Sequence, residues 1–186
     1  MILGITGKIA SGKSEALRIF KKMGFYCIDA DKVVHDLYKS GEAGAILIRK
    51  YFGEQYLLKN GDVDRKKLGN LVFMNKSKLL LLNKLMHPCV HEKIKAMMEK
   101  ALINGKNIAI EAVYLDQDYL GSLVDKILLI ERSSEKISAA LIKDRGMSKE
   151  VAEKMKSVLN LPKKVDFVIQ NDGSFKDLEN ELRKIL

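Results

Sequence analysis

The chain has 186 residues, enough for one domain with a sizeable core and modest insertions. Its composition, 47% hydrophobic and 31% charged, excludes a disordered or fibrous chain. No apolar run reaches the roughly 18 residues of a membrane span and no secretory signal is read at the start, so a cytoplasmic location without a membrane partner is expected.

The net charge of +9 leaves two partners open, nucleic acid or a small polyanionic substrate. Six Tyr, six Phe and no Trp form no basic stripe interleaved with aromatics, which argues against a stacking platform for nucleic acid. Between Lys59 and Lys100 ten Lys/Arg face four Asp/Glu; most read as a solvated helix surface, with a few able to meet phosphates. Cys27 and Cys89 match no paired metal spacing and read as reduced, packed thiols.

Met1 to Thr6 is a short apolar segment, as a buried strand requires. Gly7-Lys8-Ile9-Ala10-Ser11-Gly12-Lys13-Ser14 follows, matching G-x-x-x-x-G-K-[ST], and Ala16, Leu17, Ile19, Phe20 and Met23 then recur at helical spacing until Gly24. Strand, glycine loop and helix gather backbone N–H groups and the positive helix end around one anion. In such a loop Lys13 reaches the outer phosphates and the Ser14 hydroxyl holds Mg²⁺. Phe25 to Ile28 reads as a second strand, ending in Asp29-Ala30-Asp31. Acids just beyond a parallel strand lie where open α/β sheets bind ligands, and Asp31 is also placed to N-cap the helix through Val33, Val34, Leu37 and Tyr38.

A helix over Ala43 to Phe52 and a turn at Asn60-Gly61-Asp62 come next, before Asp64 opens a helix beginning with Arg65. A cation at a helix start conflicts with the dipole, and a fixed anion nearby would remove the conflict. Leu79 to Leu102 is the longest helical stretch. Pro88 predicts that it divides in two, with His87 capping the second helix and kept neutral by the positive helix end. Ile108 to Val113 and Val124 to Ile130 read as further strands, Ser133-Ser134 as the start of a helix, and a helix from Ser148 to about Leu159 follows. Phe167 to Gln170 is a fifth strand, Asn171-Asp172-Gly173 a turn, and a last helix closes the chain. Alternating strands and helices predict an α/β protein with a parallel sheet and right-handed crossovers. Nearly 80 residues between the second and third strands exceed what a crossover needs, and predict a helical insertion over the phosphate site. A smaller helical flap lies between the fourth and fifth strands.

Several blocks resemble the dephospho-CoA kinase family. They are Gly4-Ile5-Thr6-Gly7 leading into Ser11-Gly12-Lys13-Ser14, Ile28-Asp29-Ala30-Asp31-Lys32-Val33-Val34-His35, and Gly61-Asp62-Val63-Asp64-Arg65-Lys66-Lys67-Leu68 with Phe73. Leu85-Met86-His87-Pro88-Cys89-Val90 and Asp166 to Gly173 complete the series, in the family's order and across nearly the whole chain. The resemblance implies a three-layer P-loop kinase fold with a five-stranded parallel sheet, a helical substrate-binding insertion over 32–103 and a small helical lid over 133–164. It implies transfer of the ATP γ-phosphate, with Mg²⁺, to the ribose 3′-hydroxyl of dephospho-CoA. On that basis Ala10, Ser11, Gly12, Lys13, Ser14 and Glu15 bind ATP, joined by Arg145 from the lid and by Asn171 and Gly173 on the adenine side. Lys13 and Asp31 are the catalytic pair, Asp31 as base or orienter for the hydroxyl, and Arg65 and His87 are substrate-side residues.

Three departures accompany the resemblance. Lys8 and Ala10 replace glycines of the family's loop, Glu15 replaces a hydroxyl residue, and the lid segment Ala140-Leu141-Ile142-Lys143-Asp144-Arg145 lacks the first of two arginines. Other functions remain open: another small-molecule P-loop kinase, such as a nucleoside monophosphate kinase, or a non-enzymatic nucleic-acid-binding P-loop protein. A regulatory GTPase is disfavoured, because Asn75-Lys76-Ser77-Lys78 and Asn83-Lys84-Leu85-Met86 both lack the Asp of N-K-x-D.

Overall fold

A computed structural model describes residues 1–115, 119–145, 162 and 164–185, with backbone alone at 144 and 145. It divides into two compact units, Met1–Asp29 with Glu99–Leu186, and Ala30–Met98.

The first unit is built on strands β1 (Ile2–Thr6), β2 (Tyr26–Asp29), β3 (Ile108–Glu111), β4 (Lys126–Glu131) and β5 (Phe167–Gln170). All neighbours pair in parallel, in the order β2-β3-β1-β4-β5. The expected five-stranded parallel sheet is therefore present, with β1 at its centre. Alternation along β1 explains that position: Leu3 and Ile5 point to one face, where they join Ala16, Ile19 and Phe20 of α1 (Lys13–Lys22) and Leu178 and Leu182 of α7 (Phe175–Lys184). On the other face Gly4 leaves room for Leu115 and Val124, whose side chains a Cβ would crowd at 2.8 and 3.3 Å. The half-buried Cys27 thiol donates to the Leu17 carbonyl at 3.3 Å, and burial pushes its pKa up to about 11, as expected for a packed, unreactive thiol. The last helix starts in a capping box: Ser174 Oγ accepts from Asp177 N while the Asp177 carboxylate accepts from Ser174 N at 2.7 Å. Between β4 and β5, α6 (Ser134–Arg145) is described; the expected helix near 148–159 lies outside the described residues.

The second unit is helical, comprising α2 (Ala30–Leu37), α3 (Ala43–Phe52), α4 (Arg65–Met74) and most of α5 (Lys76–Ile103). Its core gathers Ala45, Ile48 and Phe52 of α3 with Val63 and Leu68, flanked by Leu71 and Val72 of α4 and Leu81, Leu82 and Leu85 of α5. The turn at Asn60-Gly61-Asp62 is closed by Leu58 N donating to Asp62 O at 2.8 Å, with Gly61 at φ +87.

Pro88 does not divide the long helix. It lies inside α5, which runs unbroken for 28 residues. The cost of an interior proline, about 3 kcal/mol, is offset here by burial on both sides of it. Met86, Val90, Ile94 and Met98 are all buried at i, i+4 spacing, so one continuous helix keeps a single apolar stripe inside and two helices would break it. His87 consequently sits mid-helix, and the dipole argument for its neutrality does not apply.

Candidate active site

Strand β1 ends between β3 and β4; its own connection runs one way along the sheet, to β2, and those leaving β3 and β4 run the other way, to β4 and β5. That is the switch point of an open α/β sheet, where a crevice forms beyond the strand C-termini. The loop filling it begins at Gly7 (φ +152) and ends at Gly12 (φ +105), two conformations that side chains rarely adopt. Space is equally restrictive: a Cβ on Gly7 would strike the Ile130 carbonyl, and one on Gly12 the Asn171 side-chain amide. Between them Ala10 takes φ +57, the one non-glycine residue with positive φ among the described residues.

Three loop carbonyls are held by side chains. Arg132 Nη1 donates to Ala10 O at 3.1 Å, Asn171 Nδ2 donates to Ser11 O at 2.8 Å, and Lys13 Nζ donates to Lys8 O at 3.0 Å. In a planar trans peptide the carbonyl and the next N–H point in opposite directions. Tethering the carbonyl of residue 11 to the β5 end therefore turns the Gly12 N–H the other way, in the manner of an anion-binding nest, while Ser11 N closes a turn on the Lys8 carbonyl at 3.2 Å. Inside the loop, Ser11 Oγ is buried without a hydrogen-bond partner among the described residues. An unmet buried hydroxyl is costly, and an anion oxygen would satisfy it.

Helix α1 starts directly from this nest. Lys13 is only 8% exposed, whereas Ser14 is open to solvent and its Oγ lies 3.0 Å from Glu111 Oε1 at the end of β3. Hydroxyl and carboxylate oxygens are the donor set that Mg²⁺ takes, in company with substrate phosphates and water. Among the described residues no group of three or more His, Cys, Asp and Glu could hold a metal by itself. Glu15 pairs with Arg18 at 3.0 Å on the exposed side of the helix, so its charge is matched locally.

The ends of β4 and β5 form the adjoining wall. Asn171 N donates to Glu131 O at 2.8 Å, and Asp172 Oδ1 accepts from Ser133 N at 2.9 Å. The Ser133 N–H bond, then those from Gln170 and the Ser133 hydroxyl, hold the Asp172 carboxyl down at about 2. Lys136 also donates to the Asp172 carbonyl. These contacts frame a cavity of about 220 Å³ lined by Lys8, Ile130, Glu131, Arg132, Ser133 and Gln170 among others. Gly173 follows as an exposed turn residue, packed closely enough that a Cβ would crowd Asp177. The Arg145 side chain lies outside the described residues.

Asp31, Arg65 and His87 belong to the helical unit. Asp31 is exposed and is the second residue of α2, not the residue before it. The expected N-cap geometry fails because the helix starts at Ala30, directly after β2, with no intervening turn. Arg65 is the exposed first residue of α4, and its conflict with the dipole is met by Asp64, whose Oδ1 caps the helix by accepting from Lys67 N at 3.0 Å. His87 is half-buried.

Three residues of this arrangement were not anticipated: Glu111, Arg132 and Asp172. Glu111 carried a readable signal, since it is an acid at the end of a parallel strand just as Asp29 is. Arg132 carried none, because only the tertiary fold brings it to a loop 122 residues away in sequence.

Comparison with known proteins agrees with this geometry. The dephospho-CoA kinase family model matches residues 1–177. A dephospho-CoA kinase of Bacillus cereus is 34% identical over 191 residues, covering 100% of this chain and 96% of that protein. The enzyme of the same name from Arabidopsis thaliana is 37% identical over 191 residues, covering 100% and 82%. Among solved structures, dephospho-CoA kinase from Campylobacter jejuni superposes with a TM-score of 0.65 at 26% identity, covering 99% of this chain and 94% of that one.

Proposed function

The chain belongs to the dephospho-CoA kinase family, and on that premise we propose how its own residues phosphorylate the ribose 3′-hydroxyl of dephospho-CoA at the expense of ATP, giving coenzyme A and ADP in the last step of coenzyme A biosynthesis. The observation that carries the reading is the nest from Gly7 to Ser14, with its carbonyls tethered outward and the Ser11 hydroxyl buried inside without a partner among the described residues.

Phosphoryl transfer asks little covalent chemistry of the protein and depends on positioning and on neutralising charge. The Gly12 amide, the Ser11 hydroxyl and the N-terminus of α1 receive the phosphate oxygens. Lys13 leaves the Lys8 carbonyl for the outer phosphates, carrying its charge to where negative charge builds in the transition state. Ser14 and Glu111 would hold Mg²⁺, which would supply positive charge against the phosphate groups. Asn171 and Gly173, with the cavity beside Arg132, take the nucleoside side of ATP. Asp31 accepts or orients the proton of the acceptor hydroxyl, and Arg65 and His87 contact dephospho-CoA. The helical insertion over 32–103 serves as the substrate-binding part, and the segment 133–164, with Arg145, as the lid. Closure of such parts excludes water and limits wasteful ATP hydrolysis. The net charge of +9 then serves two anionic nucleotides rather than nucleic acid, and the reaction runs in the cytoplasm; among the described residues no helix is long and apolar enough to cross a membrane.

The test is ADP release from ATP with a panel of acceptors. Turnover should require both dephospho-CoA and Mg²⁺. Turnover with AMP, CMP or shikimate in place of dephospho-CoA, and none with dephospho-CoA, would make the acceptor assignment wrong.

A second prediction concerns Gly12. Gly12→Ala places a Cβ against the Asn171 amide at a backbone angle that alanine resists. Releasing Asn171 frees the Ser11 carbonyl to turn toward the phosphate. ATP affinity should fall by about tenfold or more, the equivalent of roughly 1.4 kcal/mol, as read by titration calorimetry. Unchanged affinity would mean that the Asn171 tether is irrelevant to the nest.

A further inference from the structure

The loop has an unusual feature outside the phosphate-binding pattern. Ala10 stands in the left-handed region at φ +57, an intrinsically unfavourable conformation for alanine. A conformation of this kind persists only where its surroundings over-determine it, and here two independent contacts do so. Arg132 Nη1 donates to the Ala10 carbonyl at 3.1 Å. On the side-chain side, Ile9 and Ala10 pack on Ile137 and Leu141 of α6, which are 1% and 0% exposed. Both contacts come from the same stretch, the last turn out of β4 and the helix that follows it.

We propose that Arg132 is a positioning residue for nucleotide binding: it holds Ala10 in the left-handed conformation, and with it the turn that Ser11 N closes on the Lys8 carbonyl, so that the loop keeps its shape around the Ser11 hydroxyl and the Gly12 N–H. The inference rests on the reading of the loop as the ATP site. It explains why an arginine with only part of its side chain exposed spends a donor on a loop carbonyl. Arg132 lines the cavity beside the nest, and its buried Nε has no partner among the described residues. Its charge therefore adds to the attraction for a phosphate without needing to touch one. Asn171 performs the corresponding task one residue later at Ser11 O, but Ser11 has no positive φ to defend. That difference makes the Arg132 contact dependent on the identity of residue 10, since glycine reaches the same conformation without strain.

The experiment is a double-mutant cycle read by calorimetric binding of ADP. Arg132→Ala should weaken ADP binding about tenfold while the melting temperature moves little. The same Arg132→Ala change made on top of Ala10→Gly should cost less than about threefold relative to Ala10→Gly alone. An equal loss in both backgrounds would overturn the proposal, because Arg132 would then act on the nucleotide directly. A fall in melting temperature with unchanged ADP affinity would also overturn it, by making the contact one of folding alone. If Arg132→Ala does not fold, Arg132→Met keeps the aliphatic stem and carries the same pair of expectations. Binding rather than turnover is measured so that the two readings fail separately. A wild-type chain that binds ADP but does not phosphorylate dephospho-CoA loses only the acceptor assignment.

Discussion

Lys13→Ala is expected to lower kcat/KM by about 10²–10³-fold, the loss typical of removing one preorganised charge or donor from a transition state. The lysine is 8% exposed and its Nζ contacts the Lys8 carbonyl at 3.0 Å. It is therefore held beside the loop before any phosphate arrives, and it exchanges the Lys8 carbonyl for a phosphate oxygen when the nucleotide binds, ahead of the transfer itself. The fold should survive the change. The Lys8 carbonyl keeps a second donor, Ser11 N at 3.2 Å, and the substitution removes a buried cation rather than core-packing area. The readouts are steady-state ADP release and a thermal melt. Near-normal turnover would show that the loop from Gly7 to Ser14 is not the one that acts, and a collapsed melt would show that Lys13 is structural.

Asp31→Asn should act on a different quantity. If Asp31 takes or orients the acceptor proton, kcat falls by about 10²–10⁴-fold, the usual contribution of a general base, while the KM for ATP changes little. The change is nearly isosteric, and Asp31 is exposed at the start of α2 with no hydrogen bond from its side chain among the described residues. Its effect on the melting temperature should be small, limited to the loss of a first-turn acid that favours the helix dipole. A measured drop in stability with full turnover would assign Asp31 to the helix and leave the proton without a receiver. A rise in the KM for ATP with unchanged kcat would place it with the nucleotide.

The order in which the fold could be read follows the range of the interactions that make it. Short apolar runs between breakers gave Phe167–Gln170 and Ala43–Phe52 to the residue, because burial and local spacing decide such elements. The phosphate loop was legible because its chemistry needs a contiguous pattern. The strand order was not, since nothing in Ile2–Thr6 names β3 and β4 as its neighbours. Pro88 misled for the same reason: the local rule predicts a break, and the burial of Met86, Val90, Ile94 and Met98 overrides it. Within the site, Lys13, Ser14 and Asn171 could be anticipated from pattern and resemblance, whereas Arg132 and Glu111 enter through the sheet. The tether on Ala10 is invisible until β4 lies beside β1.

The central place of β1 also sets the timing of assembly. It leaves the ribosome ahead of the other four strands, yet both of its partners are made much later, β3 beginning at Ile108 and β4 at Lys126. Closing loops of that length costs entropy before any strand pairing repays it. The segment Ala30–Met98, by contrast, carries its own core of Ala45, Ile48, Phe52, Val63 and Leu68 and has its contacts within reach as soon as it is made. The nascent chain thus holds Leu3 and Ile5 without a strand beside them until more than 100 residues have followed. The nucleotide loop, although synthesised before either of the strands that tether it, is among the last features of the protein to take its shape.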